Sequence, residues 1–300
     1  MKVLCLYFGN TPHLNNIAEL FLPLTPQIAL RGQEAIFLEM TKGHRLLSEE
    51  SFLKRALVIL RKYDLLPRHA VAEDPGTALA FCKFFTQRKN LLPVEALQCY
   101  LDPFAVSSSY DVAFTKLVPH LERLGIKSVR DFLTFSPTAL PSRFAPLGLH
   151  LFTQLRGGAA SPWPAFVREQ HVVEKILIPR LCRSYDAEVS EFYISTLLER
   201  GRLRLRARGL PLTHFEVSIT QEHPDNYFER EQKVSVQFAR PWNAGRKELV
   251  SITKEKVHEA LERHHRFGPI AALELRILDR TVEKNAASES WYELVTRLYR

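Results

Sequence analysis

The tetrapeptide Ser161-Pro162-Trp163-Pro164 divides the chain. Two prolines so close together remove backbone donors and fix φ, so neither a helix nor a central strand runs through them. On the N-terminal side, from residue 110 to about 158, apolar residues recur at helical spacing; on the other side, residues 167–278 alternate strand, helix, strand, strand, helix, strand. A chain of 300 residues with 46% hydrophobic and 25% charged content buries real cores, so two or three small domains are expected around that break.

Before residue 110 the periodicity is mixed. Residues 1–8 read as a buried strand and residues 27–41 as a hairpin turning at Arg31-Gly32. Ser48 is placed to cap a helix carrying Phe52, Leu53, Ala56, Leu57 and Leu60, which Leu65-Leu66-Pro67 closes. A short strand at 69–72, a turn at Asp74-Pro75-Gly76 and a helix from Thr77 follow. The order lacks any glycine-rich phosphate loop and predicts a small α+β sandwich rather than a doubly wound nucleotide-binding sheet.

The helical stretch contains Leu121-Glu122-Arg123-Leu124-Gly125-Ile126-Lys127-Ser128-Val129-Arg130-Asp131-Phe132-Leu133. Gly125 ends one helix, Ser128 caps the next, and Asp131 stands at the capping-box position, which together form a helix-hairpin-helix signature. Outward hairpin N–H groups would bind a DNA phosphate without reading sequence; an ordinary helical turn is the alternative. In the last domain Arg202-Leu203-Arg204-Leu205-Arg206-Ala207-Arg208 alternates like a strand. It is read as helix because Ile194, Leu198, Gly201 and Leu205 form one stripe and Gly209 with Pro211 supplies a stop. Its arginines have two readings, phosphate contacts or partners for helix C-terminal carbonyls.

Strand alternation places Phe215, Val217, Ile219, Val234, Val236, Phe238, Leu273, Leu275 and Ile277 on one face of the last sheet. The opposite face then carries His214, Ser218, Lys233, Ser235, Gln237 and Arg276. That polar face either meets nucleic acid or is the solvated side any one-sided sheet presents. The net charge of +8 leans toward a polyanionic partner. Cys5, Cys82, Cys99 and Cys182 lack paired spacing, so no zinc site or disulfide framework is expected. Nor is any other metal site: His264-His265 reads as a frayed helix end, and Ser107-Ser108-Ser109 as linker. No apolar run nears the roughly 20 residues of a membrane span, and residues 1–3 open straight into a strand, so a reduced, cytoplasmic protein without signal peptide or membrane contact is expected.

Several segments in this order resemble the Y-family (translesion) DNA polymerases. The run Gly32-Gln33-Glu34-Ala35-Ile36-Phe37-Leu38-Glu39-Met40-Thr41 is similar to their catalytic strand, which reads roughly Asp-Glu-Ala-Tyr-Leu-Asp-Val-Thr. Leu124 to Leu133, then Arg143-Phe144-Ala145-Pro146-Leu147-Gly148 and Gly157, look like the thumb, and the domain after Pro-Trp-Pro like the little finger. The non-catalytic ImuB-type branch has near equivalents of residues 69–80 and of Phe238-Ala239-Arg240-Pro241. The resemblance implies a small ferredoxin-like palm (1–105), a helical thumb with helix-hairpin-helix (106–160), a linker (161–166), a βαββαβ little finger (167–282) and a tail helix (283–300).

It also implies a site, which this chain has largely lost. Nucleotidyl transfer in the family is two-metal chemistry requiring carboxylates that converge on ions about 3.5–4 Å apart. The matching acidic pair is Glu34 and Ala35 here, and residues 1–18 contain no acidic residue. Alternation would point Glu34 and Glu39 to opposite faces, leaving Glu34 vestigial, an exposed charge or a site for a stray cation. Only residues 9–26 fill the place of the fingers.

The expectation is therefore a catalytically inactive DNA-binding adaptor in translesion synthesis and DNA repair, without cofactor. The resemblance implies primer-template or damaged DNA, a RecA-like accessory protein and a replicative-type polymerase as partners, in an SOS-type damage response. Its DNA contacts would be Gly125, Lys127, Ser128, Arg143, His214, Ser218, Lys233, Ser235, Gln237, Arg240 and Arg276. A sliding-clamp peptide of the Gln-x-x-Leu-Phe kind is lacking. In the tail, Ser290 and Glu293 form a capping box, and Trp291, Leu294, Val295 and Leu298 line one face, for a partner or for packing back. Two alternatives remain: an active degenerate polymerase using magnesium on Glu34 with Glu73 or Asp74, and a protein-protein module without DNA.

Overall fold

The computed structural model describes residues 1–41, 47–157, 162–169, 171–183, 187–222, 229–242, 246–263 and 268–278; the side chains of 187–189, 229, 239–242 and 246 are outside that description. The chain divides into two compact units, Met1–Arg168 and Glu169–Arg300. Among the described residues no helix is long and apolar enough to cross a membrane.

The first unit opens with β1 (Val3–Tyr7), a short helix α1 (Leu14–Glu19), β2 (Ile28–Arg31), β3 (Ala35–Glu39), α2 (Glu49–Arg61), β4 (Arg68–Ala72) and α3 (Pro75–Phe84). The strands form one sheet in the order β2-β3-β1-β4 with every neighbour antiparallel, the order of a split βαββαβ unit. Strand β3 is buried along its whole length, because Ala35 and Phe37 join the core shared with α3 while Ile36 and Leu38 alternate to the other face. Ser48 caps α2 by accepting from the Ser51 N–H. The expected turn at Asp74-Pro75-Gly76 is instead the start of α3: Asp74 accepts from Thr77 N–H at 2.7 Å and Pro75 occupies the first turn, where its missing donor costs nothing.

The chain then turns helical, as read: α4 (Asp111–Arg123), α5 (Val129–Phe132) and α6 (Leu140–Leu155). The core that begins at Val3 continues without a break through Leu121, Phe132 and Leu151 to Leu155. Trp163 of the Pro-Trp-Pro segment packs against Phe104, ring centroids 5.2 Å apart.

The second unit contains β5 (Val172–Leu177), α7 (Ala187–Ala207), β6 (Leu212–Glu222), β7 (Glu229–Trp242), α8 (Arg246–Arg263) and β8 (Ile270–Ile277). The same βαββαβ succession gives another sheet here, β5-β8-β6-β7, again all antiparallel. The arginine-rich alternation lies in α7 as far as Ala207, with Arg208 in the turn that follows. Gly201 explains how: a Cβ there would meet Leu275 Cδ2 at 2.4 Å, so the glycine brings α7 directly onto β8. His264-His265 and the tail from residue 283 lie outside the described residues.

Candidate nucleic-acid interface

At one end of the first sheet the register aligns Arg68, Tyr7, Ala35 and Arg31 across four strands, and partners directly opposite share a face. Lys83, from the last turn of α3, reaches the same place: its Nζ lies 5.5 Å from the Tyr7 ring centroid and 3.5 Å from Glu34 Oε2. Arg31 Nε donates to the same Oε2 at 3.1 Å. Arg68 stacks on the rings of Tyr7 (6.0 Å) and Phe85 (3.9 Å). One carboxylate thus stands among three cations.

This corrects the reasoning on Glu34 and Glu39. Glu34 does not follow strand alternation, because it lies in the turn preceding β3, and its carboxylate swings to the α3 side. Glu39 pairs in register with Val3 at the far end of β3. The two acids are kept apart by the length of a strand, not by facing opposite ways.

The magnesium-using arrangement of Glu34 with Glu73 or Asp74 is contradicted by the direction of β4. Arg68 pairs with Tyr7 and Ala72 with Val3, so Glu73 and Asp74 follow β4 at the end of the sheet remote from Glu34. Four strand residues separate the two ends, roughly 13 Å. Asp74 caps α3, and with Glu73, Tyr100 and Phe104 it lines a cavity of about 200 Å³. Among the described residues no cluster of acids, histidines or cysteines could hold a metal ion.

The hairpin at 125–128 has the predicted caps but not the predicted free donors. Gly125 N–H donates to Glu122 O (2.9 Å), Ile126 N–H to Leu121 O (3.0 Å) and Val129 N–H to Leu92 O (2.9 Å). The N–H groups of Lys127 and Ser128 both donate to Asp131 Oδ2, at 3.2 and 3.0 Å. The Asp131 carboxyl is held below its usual range, first by its bond with Ser128 and then by the Lys127 N–H. The donors offered to phosphate are already bonded, two of them inside the hairpin, one to the Leu92 carbonyl, and two by a carboxylate that would repel a phosphate. Arg143 is exposed, with its guanidinium 5.8 Å from the Phe135 ring centroid.

In the second unit the register does bring His214, Ser218, Lys233, Ser235, Gln237 and Arg276 to one face. That face is not basic. Glu231, Glu216 and Glu274 stand among them, three acids against Lys175, Lys233 and Arg276. Lys233 lies 4.0 Å from Glu231 and Arg276 lies 3.7 Å from Glu274. Ser218 is buried, and His214 Nε2 is bonded to Ser235 Oγ at 2.8 Å. The Arg240 side chain lies outside the described residues. Nor are all the α7 arginines available for phosphate: Arg204 is 0% exposed, donating to Val173 O and Glu174, and buried Arg208 donates to Glu169 O. Acids were readable two residues from Lys233 and from Arg276; the convergence of Tyr7, Arg68, Lys83 and Phe85 left no local signal, since it depends on which strands pair.

No protein-family model matches the chain, and no curated protein does. Among solved structures it is similar to a Dbh ternary complex (14% identity over 88% of this chain and 75% of that one, TM-score 0.38). It is likewise similar to a DinB-family error-prone DNA polymerase from Sulfolobus solfataricus (15% identity, 88% and 76% covered, TM-score 0.39). Likenesses at these scores decide nothing about what the chain does.

Proposed function

We propose that this chain is a catalytically silent, Y-family-like DNA-binding adaptor for translesion synthesis or repair, acting in the cytoplasm on primer-template or damaged DNA. By the resemblance, a RecA-like accessory protein and a replicative-type polymerase are its partners, and the polymerase supplies the chemistry. One observation carries the silent half of this reading: where β1 ends and β3 begins, Glu34, the only carboxylate there among the described residues, is paired with Arg31 and with Lys83, whose ammonium lies over the Tyr7 ring. Metal ions are drawn by clustered carboxylates and repelled by net positive charge. The segment 9–26, with one six-residue helix, is too short to cover a nucleotide, which supports the same reading. The DNA half is supported by the order of motifs along the sequence and by the positive excess of the chain.

Purified protein is expected to bind primer-template DNA with an affinity that falls steeply between about 50 and 200 mM salt. It is expected to leave a primer unextended with magnesium or manganese. Template-dependent extension that disappears in Glu34→Ala would sink this proposal. A second reading, a protein-docking module without DNA, is favoured by the charge balance of the open sheet face in the second unit. Absent or salt-independent DNA binding would select it.

A further inference from the structure

The end of the first sheet gathers cations and aromatic rings. Arg68 and Lys83 flank the Tyr7 ring from two elements, β4 and α3. Lys83 shares its carboxylate, Glu34, with Arg31, and among the described residues Arg68 has no carboxylate partner. The place therefore holds two more positive charges than negative ones. Beside it stands Phe85, 75% exposed and at φ 53°. A phenylalanine in the left-handed region is strained where glycine would not be, and its ring is held out rather than buried. The Arg68 guanidinium covers one face at 3.9 Å; the exposure of the residue leaves the other face to solvent.

The geometry points to a binding site for single-stranded nucleic acid in which Arg68 and Lys83 hold a backbone phosphate and the open face of Phe85 stacks the adjoining base. This rests on the DNA-binding reading above and gives it a location. An acidic peptide would satisfy the two cations but leaves the aromatic face without a function; a base has a flat π surface that fits it. A duplex keeps its bases stacked on one another, so the ring requires an unpaired strand, such as a template overhang.

The test is anisotropy on the full chain with two labelled oligomers of equal length, oligothymidylate and its abasic counterpart, which carries the same phosphates without bases. Wild type is expected to prefer oligothymidylate about tenfold. Phe85→Gly, which relieves the backbone and so keeps the fold, is expected to remove that preference and leave abasic binding unchanged. Arg68→Gln is expected to weaken both oligomers alike and lower the salt slope by about one. Wild type that binds both oligomers equally, with Phe85→Gly indifferent, overturns the site while DNA binding stands. Wild type that binds neither overturns the DNA-binding reading and the site with it. Polyglutamate that competes as well as the abasic oligomer overturns the nucleic-acid assignment in favour of an acidic protein segment.

Discussion

Replacing Arg31 separates two accounts of the cations around Glu34. Arg31 is 5% exposed. Its Nη1 donates to Asp102 O at 2.8 Å and Pro103 O at 3.3 Å, Nη2 to Val106 O at 3.4 Å, and Nε to Glu34 at 3.1 Å. Most of its bonds therefore tie the 102–106 segment to the β2–β3 turn, and Glu34 is the lesser partner. In Arg31→Met the Val106 carbonyl, on an exposed residue, finds water, but those of Asp102 and Pro103 are stranded. At roughly 1–3 kcal/mol for each buried acceptor the loss is about 4 kcal/mol. For a unit of the size of Met1–Arg168 that corresponds to a fall of about 8–16 °C in Tm. Glu34→Gln keeps the shape, removes a partly exposed charge, and is expected to lose less than about 1 kcal/mol. Urea unfolding read by fluorescence measures both in a Trp242→Phe, Trp291→Phe background, which leaves Trp163 as the single indole, packed on Phe104 beside the tied segment. An Arg31→Met loss below about 1 kcal/mol, or an equal loss in Glu34→Gln, refutes the reasoning: the arginine would then serve the carboxylate, and Glu34 would be an essential charge.

Asp131→Ala is expected to speed amide exchange at Lys127 and Ser128. The same change is expected in wild type on acidification. Because the folded pKa of Asp131 is lowered, its contribution is present at neutral pH and above the usual carboxylate range, and is lost as pH falls through the lowered value; amides that stay protected in the variant would contradict this. Gly76→Ala is expected to destabilise the first unit by about 1–3 kcal/mol, since a Cβ there meets the Tyr100 ring at 2.8 Å and Cys99 O at 3.1 Å, and Tyr100 is held by Thr77 at 2.9 Å; an unchanged urea midpoint refutes that packing. Burial pushes the Cys99 thiol up to about 11 and raises Cys5 as well, while Cys182 is exposed. Native protein at about pH 8 should release one fast thiol to a disulfide reagent and four when unfolded; two or more fast thiols would refute the burial.

The elements were legible because each has a local cause. Ser128 and Asp131 announce a capping box three residues apart, and it forms. The stripe through Gly201 outweighs the period-two arginines, since about three turns of continuous apolar face bury more than one strand edge can. The same capping residues have two uses that look alike in sequence: a carboxylate that caps a helix consumes the donors a phosphate would need, as Asp131 does those of Lys127 and Ser128. Glu73 and Asp74 misled. They are acids at the end of a strand, but which end of the sheet they occupy is fixed by β4 running antiparallel to β1, a pairing across some sixty residues that no local pattern encodes.

Net charge was the least specific signal, and its distribution changes what it implies. On the open sheet of the second unit the bases face acids in equal number, so that face contributes little long-range field. At the end of the first sheet the balance tips positive, and on the proposed reading this is the point where polymerase chemistry would need clustered negative charge. A pair of divalent ions does two things to a phosphate: it neutralises the anion, and it activates the attacking hydroxyl while holding both oxygens of the displacement in line. Fixed ammonium and guanidinium groups do only the first. They also donate directly, need no carboxylates beneath them, and are positioned by Tyr7 and Phe85 without any ion being recruited. On the proposed reading, Lys83 and Arg68 in place of clustered acids would keep the capacity to hold a strand while removing the capacity to extend it.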